Sequence, residues 1–114
     1  MELWHNPRCS KSRQAKEILD GHGSEYVERR YLDRPPTAEE LDAVLTALDM
    51  EPWDIVRKGE AAFAESGLAD APKDRDFWIA AMVAHPILIE RPILVTDDGR
   101  AVLGRPPEAI ESFL

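Results

Sequence analysis

The chain has 114 residues and a mass of 12.9 kDa, enough for one compact domain over residues 1–114 and too little for two ordinary ones. Its 14 basic residues stand against 22 acidic ones, and the resulting formal charge of −8 argues against a general binder of nucleic acid or anionic membrane. The composition, 44% hydrophobic and 32% charged, is that of a folded domain, and the single cysteine, Cys9, excludes an internal disulfide scaffold.

The chain opens with a short apolar strand, Glu2 to His5, followed by an Asn6-Pro7 turn. A helix is predicted from about Ser10 to Asp20, with Ala15, Ile18 and Leu19 on one face and Gly21 and Gly23 ending it. Alternation from Glu25 to Tyr31 predicts a second strand, and a strand, helix and strand with short links make a parallel pair with a right-handed crossover. Arg34-Pro35-Pro36 breaks the chain. Thr37 and Glu40 then form a capping box ahead of Leu41, Val44, Leu45 and Leu48, the i, i+3, i+4, i+7 spacing of an amphipathic helix. Two short helices are predicted near Trp53 to Val56 and Glu60 to Glu65. Asp74 caps a further helix with Phe77, Trp78, Ala81 and Met82 on one side, stopped by Pro86.

The last third changes period. Ile93 to Thr96 and Arg100 to Leu103 flank an Asp97-Asp98-Gly99 turn and predict a hairpin, and Pro106-Pro107 start a final helix through Ile110 and Phe113. A βαβ unit, a helical insertion and a ββα unit give an α/β fold with a four-stranded mixed sheet, in a thioredoxin-like or glutaredoxin-like order. The longest uncharged stretch, Phe77 to Ile89, is shorter than the roughly 20 residues of a membrane span and contains Pro86. The first residues lack the cationic and apolar run of a signal peptide, so a cytoplasmic, reducing location is expected. Nothing in the sequence demands an oligomer, and a monomer is expected.

Cys9 stands at the start of the first helix, where free backbone N–H groups and the helix dipole favour an anion and lower a thiol's pKa. Arg8, Lys11 and Arg13 bring further positive charge, and His5 lies at the strand end within reach of a tight turn. A lone cysteine is also a common small core residue; the cationic context favours the reactive thiolate. Ser10 and Ser12 serve either as helix caps or as hydroxyl donors to an anion at the sulfur, and His5 either as a packing residue or as a partner of the thiol. One cysteine with His5, His22 and His85 forms no familiar zinc spacing, so no metal and no bound cofactor are expected. Three arginines flank positions that define the backbone: Arg57 before Lys58-Gly59, Arg91 before Pro92, and Arg105 between Gly104 and Pro106-Pro107. Their planar guanidinium groups suit bidentate binding of a tetrahedral oxyanion, with solvated surface charge as the alternative.

The segments Trp4-His5-Asn6-Pro7-Arg8-Cys9-Ser10-Lys11-Ser12-Arg13, Tyr31-Leu32, Val56-Arg57-Lys58, His85 to Ile93 and Gly104-Arg105-Pro106 resemble, in order and spacing over essentially the full length, the glutaredoxin-coupled arsenate reductases of the ArsC type. The resemblance implies Cys9 as nucleophile and Arg57, Arg91 and Arg105 as contacts to the oxyanion. It also implies a cis peptide bond before Pro92 and a supporting role for His5 in holding the thiolate. Glutathione is then the co-substrate and glutaredoxin the partner that removes a glutathione disulfide from Cys9, arsenate or a similar oxyanion being the substrate. Many members follow the cysteine with Gly-Thr-Ser, whereas this chain has Ser10-Lys11-Ser12. Two other readings are a glutathione-linked thiol-disulfide exchange protein without arsenate turnover and a Spx-like transcription regulator. The regulator branch carries a Cys-x-x-Cys switch, and Ser12 stands here at its second position.

Overall fold

In a computed structural model describing all residues 1–114, the sheet runs in the order β2-β1-β3-β4. The strands are β1 (Glu2–His5), β2 (Val27–Arg30), β3 (Ile93–Val95) and β4 (Ala101–Leu103). β1 is central, parallel to β2 and antiparallel to β3, which pairs antiparallel with β4. The five α-helices are α1 (Ser10–Gly21), α2 (Ala38–Leu48), α3 (Pro52–Ile55), α4 (Ala61–Glu65) and α5 (Arg75–Ala84). This is the four-stranded mixed sheet with a helical insertion between β2 and β3 that the order of elements predicts.

Period-two alternation divides the sheet between two apolar layers. Leu3 lies opposite Leu94 and packs with Ala15, Leu19 and Ile110, so α1 and the C-terminal turns cover one face. Trp4 lies opposite Ile93 on the other face, joined by Leu41, Leu45, Ile55, Trp78, Met82 and Ile89 from the insertion. The capping box of α2 forms as the sequence predicts, with the Glu40 N–H donating to Thr37 Oγ1 and the Thr37 N–H to Glu40 Oε1. Glu40 also binds the Arg29 guanidinium through Arg29 Nη1 at 2.6 Å, and this partner, with the Thr37 N–H, lowers its carboxyl pKa to about 2.

The structure differs from the sequence expectation in five elements. β2 is limited to Val27–Arg30 rather than Glu25 to Tyr31, because it is an edge strand whose only ladder is with Glu2–His5; Tyr26 instead bonds Lys16 and Asp20. The apolar side of α5 is Trp78, Ile79 and Met82, and Phe77 is exposed, since the helix turns that face toward α2 and α3. The C-terminal segment Pro107–Phe113 is a 3₁₀-helix, the tighter form typical of short proline-started turns. Short 3₁₀ turns at Leu68–Asp70 and Pro86–Leu88 were not foreseen.

Gly104 marks the closest approach of backbone to the proline beside the site. Its N–H donates to the Pro92 carbonyl, and a Cβ at this position would lie 2.7 Å from Pro92 Cγ and 3.4 Å from Ile110 Cγ2. Neither the buried pyrrolidine ring nor the packed Ile110 can yield freely. Gly104→Ala is therefore expected to cost about 1–3 kcal/mol, the usual penalty of overpacking. A urea unfolding midpoint equal to that of the wild type would contradict this.

Candidate active site

The loop 6–9 between β1 and α1 is set by Asn6, which is 3% exposed. Its side-chain carbonyl accepts from the Arg8 N–H and its backbone carbonyl from the Cys9 N–H, each at 3.0 Å. Cys9 is thereby the extended N-cap residue of α1, with its side chain over the first turn of the helix. Partial burial pushes the Cys9 thiol up, but the Ser12 N–H, the Arg91 side chain and the Lys11 N–H outweigh it, and the pKa falls below the ordinary thiol value. The helix start acts as expected. The charges of Arg8, Lys11 and Arg13 are not what lowers it: Lys11 acts through its backbone N–H, and the Arg13 guanidinium is turned onto the Pro7 carbonyl at 3.0 Å.

Because the thiolate is the reactive form, the rate of Cys9 alkylation is expected to rise with pH through the depressed pKa and then level off. The midpoint should lie below the about 8.5 of a free cysteine. A midpoint at or above that value, measured with iodoacetamide, would contradict the geometry.

The two serines part company. Ser10 is exposed at the first position of α1, whereas Ser12 is fully buried and its hydroxyl is already engaged. Ser12 Oγ accepts from the Asn6 N–H at 3.0 Å and pairs with His5 Nδ1 at 2.6 Å. Both of these partners tie the Ser12 hydroxyl to the turn that carries Cys9. His5 is 2% exposed; burial lowers its pKa against the opposing pull of Glu28, whose carboxylate lies 3.8 Å from Nε2. Burial thus works against a charge on the ring, whose Nδ1 is held by Ser12. His5 reaches Cys9 through Ser12, by holding the first turn of α1 in place.

Arg105 and Arg91 flank Cys9, and Arg57 is linked to Arg105 through a shared carboxylate. Arg105 Nη2 donates to Cys9 Sγ at 3.6 Å, and its Nε donates to the Arg91 carbonyl at 2.9 Å. Arg91 is 6% exposed, its peptide bond to Pro92 is cis, and its buried Nε has no hydrogen-bond partner. Arg57 joins them through a residue that sequence reasoning passed over. Glu90 Oε1 accepts from Arg57 Nη1 at 2.7 Å, from Arg105 Nη2 at 3.0 Å and from the Arg91 N–H at 3.3 Å. Glu60 is the second such residue, 3.2 Å from Arg57 Nε and 3.9 Å from Arg91 Nη2. Tyr31 lies buried below the cluster. Its hydroxyl donates to the Ile89 carbonyl, and burial, partly offset by Arg91 and Arg57, pushes its pKa up to about 12. The Arg105–Pro106 bond is also cis, which sequence reasoning did not foresee. The only local signal for Glu90 was its place before Arg91-Pro92, and Glu60 had none.

Chemically, the site offers a thiol with a depressed pKa, a row of backbone N–H groups and guanidinium donors within hydrogen-bonding reach of the sulfur. No group of three or more His, Cys, Asp or Glu side chains is placed to hold a metal ion, and no helix is long and apolar enough to cross a membrane.

Comparison with known proteins places the chain among relatives of like size. It is 48% identical over 117 residues to an "Uncharacterized protein in glnII region" of Streptomyces viridochromogenes, covering 100% of this chain and 98% of that protein. An arsenate reductase of Neisseria meningitidis serogroup B is 37% identical over 115 residues, with coverage of 100% and 97%. Among solved structures, an arsenate reductase from Vibrio cholerae superposes with a TM-score of 0.91 at 38% identity, covering 100% of this chain and 98% of that one. A family model described as the ArsC family matches residues 4–113, and with a match of that extent the chain belongs to the ArsC family.

Proposed function

We propose that the protein is a glutathione- and glutaredoxin-dependent arsenate reductase. One observation carries this reading: a thiol of lowered pKa at a helix start, in contact with Arg105 and beside a buried Arg91 whose Nε is an unused donor. The arsenate reductases among its relatives supply the choice of oxyanion.

The Cys9 thiolate attacks the arsenic of arsenate, a sulfur–arsenic bond forms, and a protonated arsenate oxygen leaves as water. Arg57, Arg91 and Arg105, with the N–H groups at the start of α1 and the Ser10 hydroxyl, bind the remaining oxygens and offset the charge that develops on them. Glutathione thiolate then attacks Cys9 Sγ. The new disulfide joins Cys9 to glutathione, the electron pair of the broken sulfur–arsenic bond passes to arsenic, and arsenite leaves, two electrons richer. The chain holds no second cysteine to resolve that disulfide, so glutaredoxin must remove the glutathione.

The test is NADPH consumption by the purified protein with arsenate, glutathione, glutaredoxin and a glutathione reductase, compared with Cys9→Ser and Arg91→Ala. No arsenate-dependent loss of NADPH above the Cys9→Ser blank would overturn the reading. The pairing of Arg57 and Arg105 with Glu90 favours one second reading, a glutathione-linked thiol-disulfide exchange protein without arsenate turnover. Glutathione found on Cys9 by mass spectrometry, with no arsenate-dependent turnover, would put it in first place.

A further inference from the structure

The arginine cluster already holds an anion of its own. Glu90 Oε1 is the common acceptor of Arg57 Nη1 at 2.7 Å and Arg105 Nη2 at 3.0 Å, and that same Arg105 nitrogen lies 3.6 Å from Cys9 Sγ. A carboxylate oxygen therefore sits one guanidinium nitrogen away from the sulfur, at the seat where an oxyanion reaching Cys9 would engage both arginines. The seat is protected, since the Glu90 side chain is only 22% exposed, and the Arg91 N–H holds the same oxygen from the backbone side. Glu60 engages the far edge of the cluster through Arg57 Nε. With Cys9 ionised, the charges of Arg57, Arg91 and Arg105 face those of Cys9, Glu60 and Glu90, so the three guanidinium groups are already matched by three anions.

We propose that Glu90 is the specificity residue of this site: its carboxylate occupies the oxyanion seat between Arg57 and Arg105, so an incoming anion binds only by displacing it. The inference rests on the reading of Cys9 and the arginines as an oxyanion site, and it adds what that site rejects. Phosphate has the shape and charge of arsenate, but its oxygens exchange far more slowly and thiols do not reduce it, so it occupies such a site without turning over. Exchange against a tethered carboxylate weakens the encounter of both anions, and arsenate alone recovers the loss by going on to react at Cys9. Glu90 thus keeps the thiolate from being blocked by an unreactive tetrahedral anion.

Glu90→Gln removes the charge while keeping the side chain's size. Inorganic phosphate is the probe, and its binding is read from the protection of Cys9 against iodoacetamide, with circular dichroism as the check on folding. Phosphate is expected to protect the variant at a concentration at least tenfold lower than the wild type, and Glu90→Ala should shift in the same direction. In turnover, KM for arsenate and the inhibition constant for phosphate should both fall while kcat changes less. Unchanged or weaker protection in both variants would overturn the proposal and would make Glu90 a brace that positions Arg57 and Arg105. Because phosphate protection needs no turnover, loss of the arsenate reaction with the tenfold shift intact would overturn the proposed function alone.

Discussion

Cys9→Ser is expected to reduce arsenate-dependent NADPH oxidation to the blank, a fall of at least about 10³-fold, the scale on which removal of a nucleophile is felt. Three separate consequences of one atom add up here. A serine hydroxyl stays protonated at neutral pH even at a helix start, so the attacking anion is lost. The Arg105 Nη2 donor, 3.6 Å from Sγ in the wild type, then faces a neutral oxygen instead of a thiolate. Finally, serine forms no disulfide, so the electrons of glutathione have no route to arsenic through residue 9. The fold should be indifferent, since Cys9 is only partly buried and its backbone N–H to the Asn6 carbonyl is unaffected by the exchange. The coupled assay and a thermal unfolding scan on the same preparation check both halves. Residual turnover in the variant would point to glutathione reacting with the anion directly.

Arg91→Met is expected to separate activity from stability. The guanidinium is 6% exposed, and its hydrogen bonding is poor for a buried charge: Nη1 reaches the Ile87 carbonyl at 3.3 Å, Nη2 is 3.9 Å from Glu60, and Nε has no partner. Burial of an incompletely satisfied ion costs several kcal/mol, and its replacement by an apolar side chain of similar length is often neutral or stabilising. Turnover should move the other way. Arg91 is among the groups that lower the Cys9 pKa, and it is one of the donors proposed for the developing oxyanion, so kcat/KM is expected to fall by about 10²–10³-fold. The alkylation midpoint of Cys9 should also rise, because the folded state loses a partner of the thiolate. An unfolding midpoint well below the wild type, with kcat/KM preserved, would show Arg91 to be a structural residue.

How much of this was legible in the sequence depends on the distance over which each feature is encoded. The capping box at Thr37 and Glu40, the Asp74 cap with its Asp76 N–H, the Asp97 to Gly99 turn and the position of Cys9 at a helix start are all fixed within a few residues of chain. Where the reading erred, a neighbour distant in sequence decided the outcome. Ser12 looks like an available hydroxyl until β1 brings the His5 ring to 2.6 Å and the loop brings the Asn6 N–H to 3.0 Å. His5 looks like a direct partner of the thiol until its buried ring is found 2.6 Å from the Ser12 hydroxyl. Phe77 looks apolar and inward until α5 is turned against the rest of the insertion.

The sequence by itself determined the order of elements, the two-faced sheet and a lone thiol with no internal resolving partner, because periodicity, caps and residue counts are local or arithmetic. Only the tertiary structure decided the electrostatics of that thiol. Arg105 meets Cys9 across 96 residues and Arg57 meets Glu90 across 33, and no local pattern records either pairing. Charge acts through space rather than along the chain, so the presence of Arg57, Arg91 and Arg105 could be read from the sequence, while the carboxylate seated between two of them could not.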